Sequence, residues 1–291
     1  MLELGQVRSL RQAAKSRDTR YQPKRSMRVI SVTSGKGGVG KSSVVANLSA
    51  TLGQRGQRVL LLDGDFGLAN LDIMFDLKTR LNISSVLSGE RKISEVIVRA
   101  AENVDIIPAS SGIFEMTALG VPEKARLLEI MQELENQYDI LLIDTGAGIN
   151  EDVTWLSASA GEVIVVATPE PTSIADAYAL IKVLNQKHKL KDFKLLVNQA
   201  KSDTEALRVY KQITGVSDKF LNVSIDYVGH VLWDENVSQT IRQRKPLLHS
   251  FPNSKATKNF TVLADTLCRS TDSSSATGNV QFFWNALLGN A

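Results

Sequence analysis

From Gly35 to Ser42 the chain reads Gly-Lys-Gly-Gly-Val-Gly-Lys-Ser, four glycines and two lysines in eight residues. The spacing fits G-x-x-x-x-G-K-[ST], with the strand-like run "RVISVT" from Arg28 before it and an apolar helical pattern after it. Glycines let a backbone wrap around phosphate oxygens with its N–H groups pointing inward. The start of the following helix adds a partial positive charge. Such a loop suits a nucleoside triphosphate, with Lys41 on the β- and γ-phosphates and the Ser42 hydroxyl on Mg²⁺. Gly35, Lys36, Gly37, Gly38, Val39, Gly40, Lys41, Ser42 and Ser43 are the expected nucleotide-binding residues. A nicotinamide-type fingerprint does not end on Gly-Lys-Ser, so that alternative fits poorly. One lysine is enough to hold phosphate, which leaves Lys36 to be explained.

Carboxylates follow two further apolar runs. "LLLDGDFGLANLD" carries Asp63, Asp65 and Asp72, and "DILLIDTGAGI" carries Asp144. A carboxylate at Asp144 can hold a Mg²⁺-bound water. Gly146 and Gly148 would let the next segment respond to a γ-phosphate. A third run, "LLVNQA", ends with Asn198.

The elements that must position these groups alternate in type. Strand-like runs start at Arg28, Arg58, Val104, Asp139, Glu162 and Lys194, and helical patterns such as Pro122–Gln137 and Ile174–Lys187 lie between them. The runs are almost continuously apolar, as suits a sheet covered on both faces. The expectation is an α/β fold with a doubly wound, mostly parallel sheet and helices on both faces. Ligands of such sheets bind at the carboxyl ends of the strands, where the lysines, aspartates and asparagine fall.

The chain has 291 residues, 43% of them hydrophobic and 22% charged, an ordinary globular composition. No apolar run reaches membrane-spanning length, and the N-terminus lacks the apolar region of a secretory signal. Cys268 is the single cysteine, which excludes a disulfide framework or a cysteine-ligated cluster within one chain. A cytosolic location is expected. The net charge of +3 hides an asymmetry: residues 1–26 hold seven Lys/Arg against two acids, +5, which leaves −2 on the rest. A basic arm on a slightly acidic body argues against non-specific DNA binding by the body. The chain therefore divides into an arm (1–26), a nucleotide-binding domain (27–269), a Ser-rich linker (270–279) and an apolar end (280–291). A helix over that end would put Val280, Phe283, Trp284, Leu287 and Leu288 on one arc of about 140°. It suits reversible membrane contact or docking on protein.

The loop "GKGGVGKS" resembles the deviant Walker A loop of the MinD/ParA class of P-loop ATPases, and "TPEPTSIADA" (Thr168 to Ala177) is also shared with that class. The resemblance implies the P-loop NTPase fold, hydrolysis of ATP to ADP and phosphate with Mg²⁺, and an ATP-dependent homodimer. It implies that Lys36 reaches across the dimer to the partner subunit's phosphates, making Lys36, Lys41 and Asp65 the catalytic set. Asp65 would orient the attacking water near the metal held by Ser42, Asp65 and Asp144, with Asp63 a structural neighbour. Asn198 would read the adenine edge. Leu232 stands where relatives have a proline two residues before Asp234.

Within the class, "GQVRSLRQAA" resembles the D-Q-A-x-x-L-R segment at the N-terminus of the FlhG/FleN family of flagellar number regulators. Gln6, Leu10 and Arg11 match, while Gly5 and Val7 replace the aspartate and alanine. That branch implies an arm that activates an FlhF-type GTPase, and contacts with flagellar switch-complex proteins. In polar flagellates it also implies a flagellar transcription activator as partner. It further implies a membrane surface touched through Phe283, Trp284, Leu287 and Leu288 on the inner face of the cell membrane. The alternatives are a division-site positioning ATPase of the MinD type and a DNA-partition ATPase of the ParA type.

Overall fold

A computed structural model describes residues 27–66, 69–109 and 120–269. The readings on Gln6, Leu10, Arg11, Phe283, Trp284, Leu287 and Leu288 lie outside the described residues, as do the linker and both ends.

Strand β1 (Arg28–Ser34) leads through the glycine-rich loop into helix α1 (Lys41–Gln54), and β2 (Val59–Gly64) follows. After two short helices, α2 (Ile83–Leu87) and α3 (Ile93–Val96), come β3 (Val98–Ala101), β4 (Val104–Ile107) and helix α4 (Val121–Leu134). The chain continues through β5 (Ile140–Ala147), α5 (Glu151–Ser159), β6 (Glu162–Ala167) and α6 (Pro171–His188). It then forms β7 (Asp192–Ala200), α7 (Asp203–Phe220), β8 (Ser224–Leu232), α8 (Glu235–Gln243), α9 (Leu247–Ser250) and α10 (Lys255–Arg269).

The eight strands form one sheet in the order β3-β4-β2-β5-β1-β6-β7-β8. Every neighbouring pair is parallel except β3 and β4. The order reverses at β1: the chain first fills the sheet on one side of it, then on the other. The crevice at that reversal is where the ends of β1, β2 and β5 open.

Both faces are covered, which explains the unbroken apolar runs. On one face α1 and α10 pack over Ile30, Val32, Leu61 and Leu142, with Val45, Leu48, Phe260 and Leu263 among the buried partners. On the other, α4 and α5 cover Val29, Leu60, Leu62 and Leu141, and α6 and α7 cover Val165, Leu195 and Val197. Each buried Leu, Ile or Val contributes roughly 1.5–3 kcal/mol, so the sheet is the dominant source of stability.

All six strand-like runs form strands. The two helical patterns form Val121–Leu134 and Pro171–His188, the second starting three residues before the expected Ile174 because Pro171 suits a first helical turn. Two strands lie outside the expected set. β3 is four residues on an antiparallel edge, none of them buried and Arg99 exposed. β8 buries Ile225, Val228 and Val231, a spacing of three, because its register with β7 slips between Tyr227 and Gly229. That slip erases the period-2 signal of an ordinary strand.

Near its end, α1 approaches the turn between β3 and β4 so closely that a Cβ on Gly53 would lie 2.3 Å from the Glu102 carbonyl oxygen. The Asn103 amide donates to the Gly53 carbonyl at 3.0 Å and closes the contact. Alanine normally favours a helix interior over glycine by about 1 kcal/mol. Here the sign reverses: Gly53→Ala is expected to destabilise the protein by about 1–3 kcal/mol through overpacking, read as a lowered urea midpoint.

Candidate nucleotide site at the carboxyl ends of β1, β2 and β5

The loop from Gly35 to Gly40 turns out of β1 and enters α1 with Gly38 at φ 79° and Gly40 at φ 84°, the left-handed region that favours glycine. Gly40 is the N-cap of α1 without any side-chain cap, so the first N–H groups of the helix are left for a ligand. Gly35 lies against α6, where a Cβ would fall 2.1 Å from the Asp176 carbonyl oxygen. Gly37, Val39, Ser42 and Ser43 complete the turn and the first helical residues. The loop is pinned from three sides. Asn198 on β7 donates to the Val39 carbonyl at 2.7 Å. The Gly148 N–H, beyond β5, donates to the Ser34 carbonyl at 2.9 Å. Lys36 Nζ meets Glu170 Oε2 at 2.5 Å and Thr172 Oγ1 at 2.9 Å, at the start of α6.

Beneath the loop, Lys41 Nζ lies 3.3 Å from Asp144 Oδ1, and both side chains are buried. Burial pushes the Asp144 carboxyl up, while the Lys41 ammonium and a hydrogen bond with Ser42 pull it down and the Asp65 charge adds to the rise. Ser42, Asp65 and Asp144 are thus brought to one place, as expected of a metal set. Asp65 also lies beside the end of β5: a Cβ on Gly146 would be 3.8 Å from its carboxyl carbon. A bound Mg²⁺ would be held by this hydroxyl and these carboxylates, a donor set suited to a hard cation, and would offset phosphate charge.

Asp63 has a larger part than that of a strand-end neighbour. It is the register partner of Asp144 on adjacent strands. One of its oxygens accepts the Asp65 N–H at 3.2 Å, and the other accepts those of Asn70 and Leu71 at 3.0 and 2.9 Å. One buried carboxylate therefore shapes the segment that presents Asp65. Burial first, and the Asp144 charge second, push the Asp63 carboxyl up to about 7 against the three N–H donors.

Three features escape the sequence reading. Glu170 and Thr172 hold Lys36, yet in "TPEPTSIADA" they read only as a loop. Asp63 organises a turn that no spacing rule encodes. A cavity of about 170 Å³ adjoins Gly40 and Ser43, and Asn198, Gln199, Leu232 and Trp233 are among its lining. Beyond the loop residues Gly40 and Ser43, only Asn198 was expected there, on grounds of family resemblance.

A family model described as an AAA domain matches residues 27–197, from the start of β1 to within β7. The antiactivator FleN of Pseudomonas aeruginosa is 37% identical over 262 residues, covering 90% of this chain and 94% of FleN. The chain belongs to the MinD/ParA class of P-loop ATPases, in its FlhG/FleN branch. A second relative is the flagellum site-determining protein YlxH of Helicobacter pylori, 32% identical over 85% of this chain and 84% of YlxH. Among solved structures, the septum site-determining protein MinD of Pyrococcus horikoshii, complexed with Mg-ADP, superposes with TM-score 0.70 at 26% identity. It covers 84% of this chain and 97% of that one. The FlhG/FleN-branch protein is accordingly an ATPase that uses ATP and Mg²⁺, and phosphoryl transfer there depends mainly on positioning and charge.

The raised Asp63 group sets a pH dependence. Its folded value of about 7 exceeds the ordinary 3.8, so the folded state binds the extra proton. That contribution is complete below about pH 4 and is lost as pH rises through about 7, of order 2–4 kcal/mol in all. Asp63→Asn is expected to flatten the urea midpoint of nucleotide-free protein between pH 5 and 8; an unchanged slope would show that another group titrates.

Proposed function

We propose that this protein is an ATP-driven regulator of flagellar number and placement that cycles between a resting monomer and a membrane-associated dimer. The likeness to FleN along almost the whole chain is the observation that carries this reading, since it spans the phosphate loop, both carboxylate strands and β8.

In this reading ATP with Mg²⁺ draws Asp65 and the segment after Asp144 into order, and two loaded subunits meet face to face. Lys36 then leaves Glu170 for the partner subunit's phosphates. Magnitudes favour the exchange. The Lys36–Glu170 pair is largely exposed, with side-chain exposures of 36% and 63%, and such a pair is worth about 1 kcal/mol or less. A charge-assisted contact to phosphate in a water-poor interface is stronger. Asp65 orients the attacking water, Lys41 carries phosphate charge, and Asn198 faces the base. Hydrolysis is slow until a partner arrives.

The apolar segment at Phe283, Trp284, Leu287 and Leu288 supplies the membrane contact, on the inner face of the cell membrane. A dimer presents two such segments and so binds far better than a monomer. Gln6, Leu10 and Arg11 belong to the arm that acts on an FlhF-type GTPase. Flagellar switch-complex proteins and a flagellar transcription activator are the further partners. Among the described residues no helix is long and apolar enough to cross a membrane.

Lys36→Ala is expected to keep ATP affinity within about twofold, yet to lose the ATP-dependent dimer and at least about 90% of phosphate release; light scattering and a phosphate assay read the two effects. Full dimerisation in that variant would end the cross-subunit role. Asp65→Ala should bind ATP and dimerise with hydrolysis reduced about 100-fold. Deleting the gene should change flagellar count without moving the division site, whereas misplaced septa with normal flagella would support a division-site protein. Co-sedimentation with anionic liposomes should require ATP and vanish in a chain ending at Arg269. Sedimentation of that shortened chain would remove the tail from the account.

A further inference from the structure

We propose that Lys124 is a positioning residue for ATP hydrolysis, one that fixes the segment from Gly146 to Asn150 by holding the helix behind it. The inference rests on the reading of that segment as the part that answers the γ-phosphate, and adds a side chain outside the nucleotide site. Lys124 lies in the first turn of α4 with its side chain only 11% exposed. Its Nζ is 3.4 Å from Glu151 Oε1 and 4.0 Å from Asp152 Oδ1. It also lies over the Trp155 ring, 5.3 Å from the centroid. All three partners belong to α5, which begins where the segment ends.

This is an unfavourable place for an ammonium. Lysine is almost never buried unless it is paired. Lys124 lies near the N-terminus of its own helix and of α5, where helix dipoles favour anions over cations. Two carboxylates from the first turn of α5 and the face of Trp155 offset that penalty. A methionine of similar length would fill the space without incurring it, and replacing a buried ion pair by apolar groups is often neutral for stability. Fold stability therefore does not account for the lysine. Attachment does: one charge gathers Glu151, Asp152 and Trp155 and ties α5 to α4. The fixed side of the tie is α4, whose Leu127, Leu128, Ile130, Met131 and Leu134 are buried in the core.

The first turn of α5 in turn bears on the segment. Asn150 caps the helix by accepting the Val153 N–H at 2.9 Å. Val153 packs so closely on Gly146 that a Cβ there would lie 3.2 Å from its Cγ2, and the same Cβ would be 3.8 Å from the Asp65 carboxylate. The Gly148 N–H is held by the Ser34 carbonyl at the root of the phosphate loop. Movement of this turn of α5 therefore moves the surface that lies between Asp65 and the loop. Phosphoryl transfer depends on such positions, and a misplacement of about 1 Å costs up to about 100-fold in rate. ATP affinity is set mainly by the phosphate loop, whose contacts to β7 and α6 lie elsewhere.

The test is a steady-state ATPase assay on the full-length protein, with hydrogen exchange of residues 146–153 read in ADP and in a non-hydrolysable ATP analogue. Lys124→Met is expected to lower kcat about 10-fold while KM for ATP stays within about twofold and the urea midpoint holds. Lys124→Arg should recover most of kcat, since a guanidinium keeps the charge and reaches both carboxylates. The extra protection that the analogue gives residues 146–153 in wild-type protein should be lost in Lys124→Met. The double variant Glu151→Gln with Asp152→Asn, which takes away the partners and keeps the lysine, should reproduce the loss, and it carries the test if Lys124→Met does not fold. An unchanged kcat in folded Lys124→Met, or a loss that Lys124→Arg does not restore, would overturn the positioning role and leave the ATPase reading intact. Wild-type exchange at 146–153 that is the same in both nucleotides would overturn the reading of the segment itself.

Discussion

Two carboxylates, Asp63 and Asp144, stand side by side at the ends of adjacent parallel strands, both buried. Burial is the main reason that both carboxyls are pushed above their ordinary range, and a like charge adds to it, that of Asp144 on Asp63 and that of Asp65 on Asp144. The arrangement persists because compensation is built around it. Lys41 brings an ammonium to Asp144, Ser42 adds a hydrogen bond, and three backbone N–H groups converge on Asp63. Removing one partner of such a buried pair commonly costs about 3–5 kcal/mol, because the other charge remains. A divalent cation is the natural further compensation. The site thus favours the metal-loaded nucleotide for the same electrostatic reason that makes it expensive to build.

That constraint explains the sheet. Parallel strands β2 and β5 put their carboxyl ends on one edge, and β1 between β5 and β6 places the phosphate loop over both. Only a sheet buried on both faces holds these ends firmly enough, and the helices on each side supply that burial. Hydrophobic area fixes the frame, and electrostatics is confined to the rim where the strands stop.

Much of this was legible in the sequence because it is encoded locally. A strand, four glycines, a lysine and a serine specify the loop with little help from elsewhere, and a carboxylate after an apolar run marks a strand end. What stayed hidden depends on distant partners. Asp63 gathers N–H groups up to eight residues away, in a turn that follows no simple spacing. Lys36 finds Glu170, 134 residues on. The strand β8 was masked by its own register slip, and with it the wall that Trp233 contributes. Pattern reading works where one element decides and fails where two must meet.

The contacts that reach the loop differ in strength, and the difference gives the site a direction of response. The Asn198–Val39 hydrogen bond is buried, so breaking it would strand polar groups at about 1–3 kcal/mol. The Lys36–Glu170 pair is exposed and worth about 1 kcal/mol or less, since water replaces either partner readily. Negative charge arriving at the loop therefore meets a firm side toward β7 and a soft side toward α6. The firm side fixes the loop against the cavity beside Asn198, and the soft side is the one that can give way. A loop held equally on both sides would bind nucleotide without changing shape. Lys36 is the loosely held member, so its pair with Glu170 is the contact that arriving charge would break first.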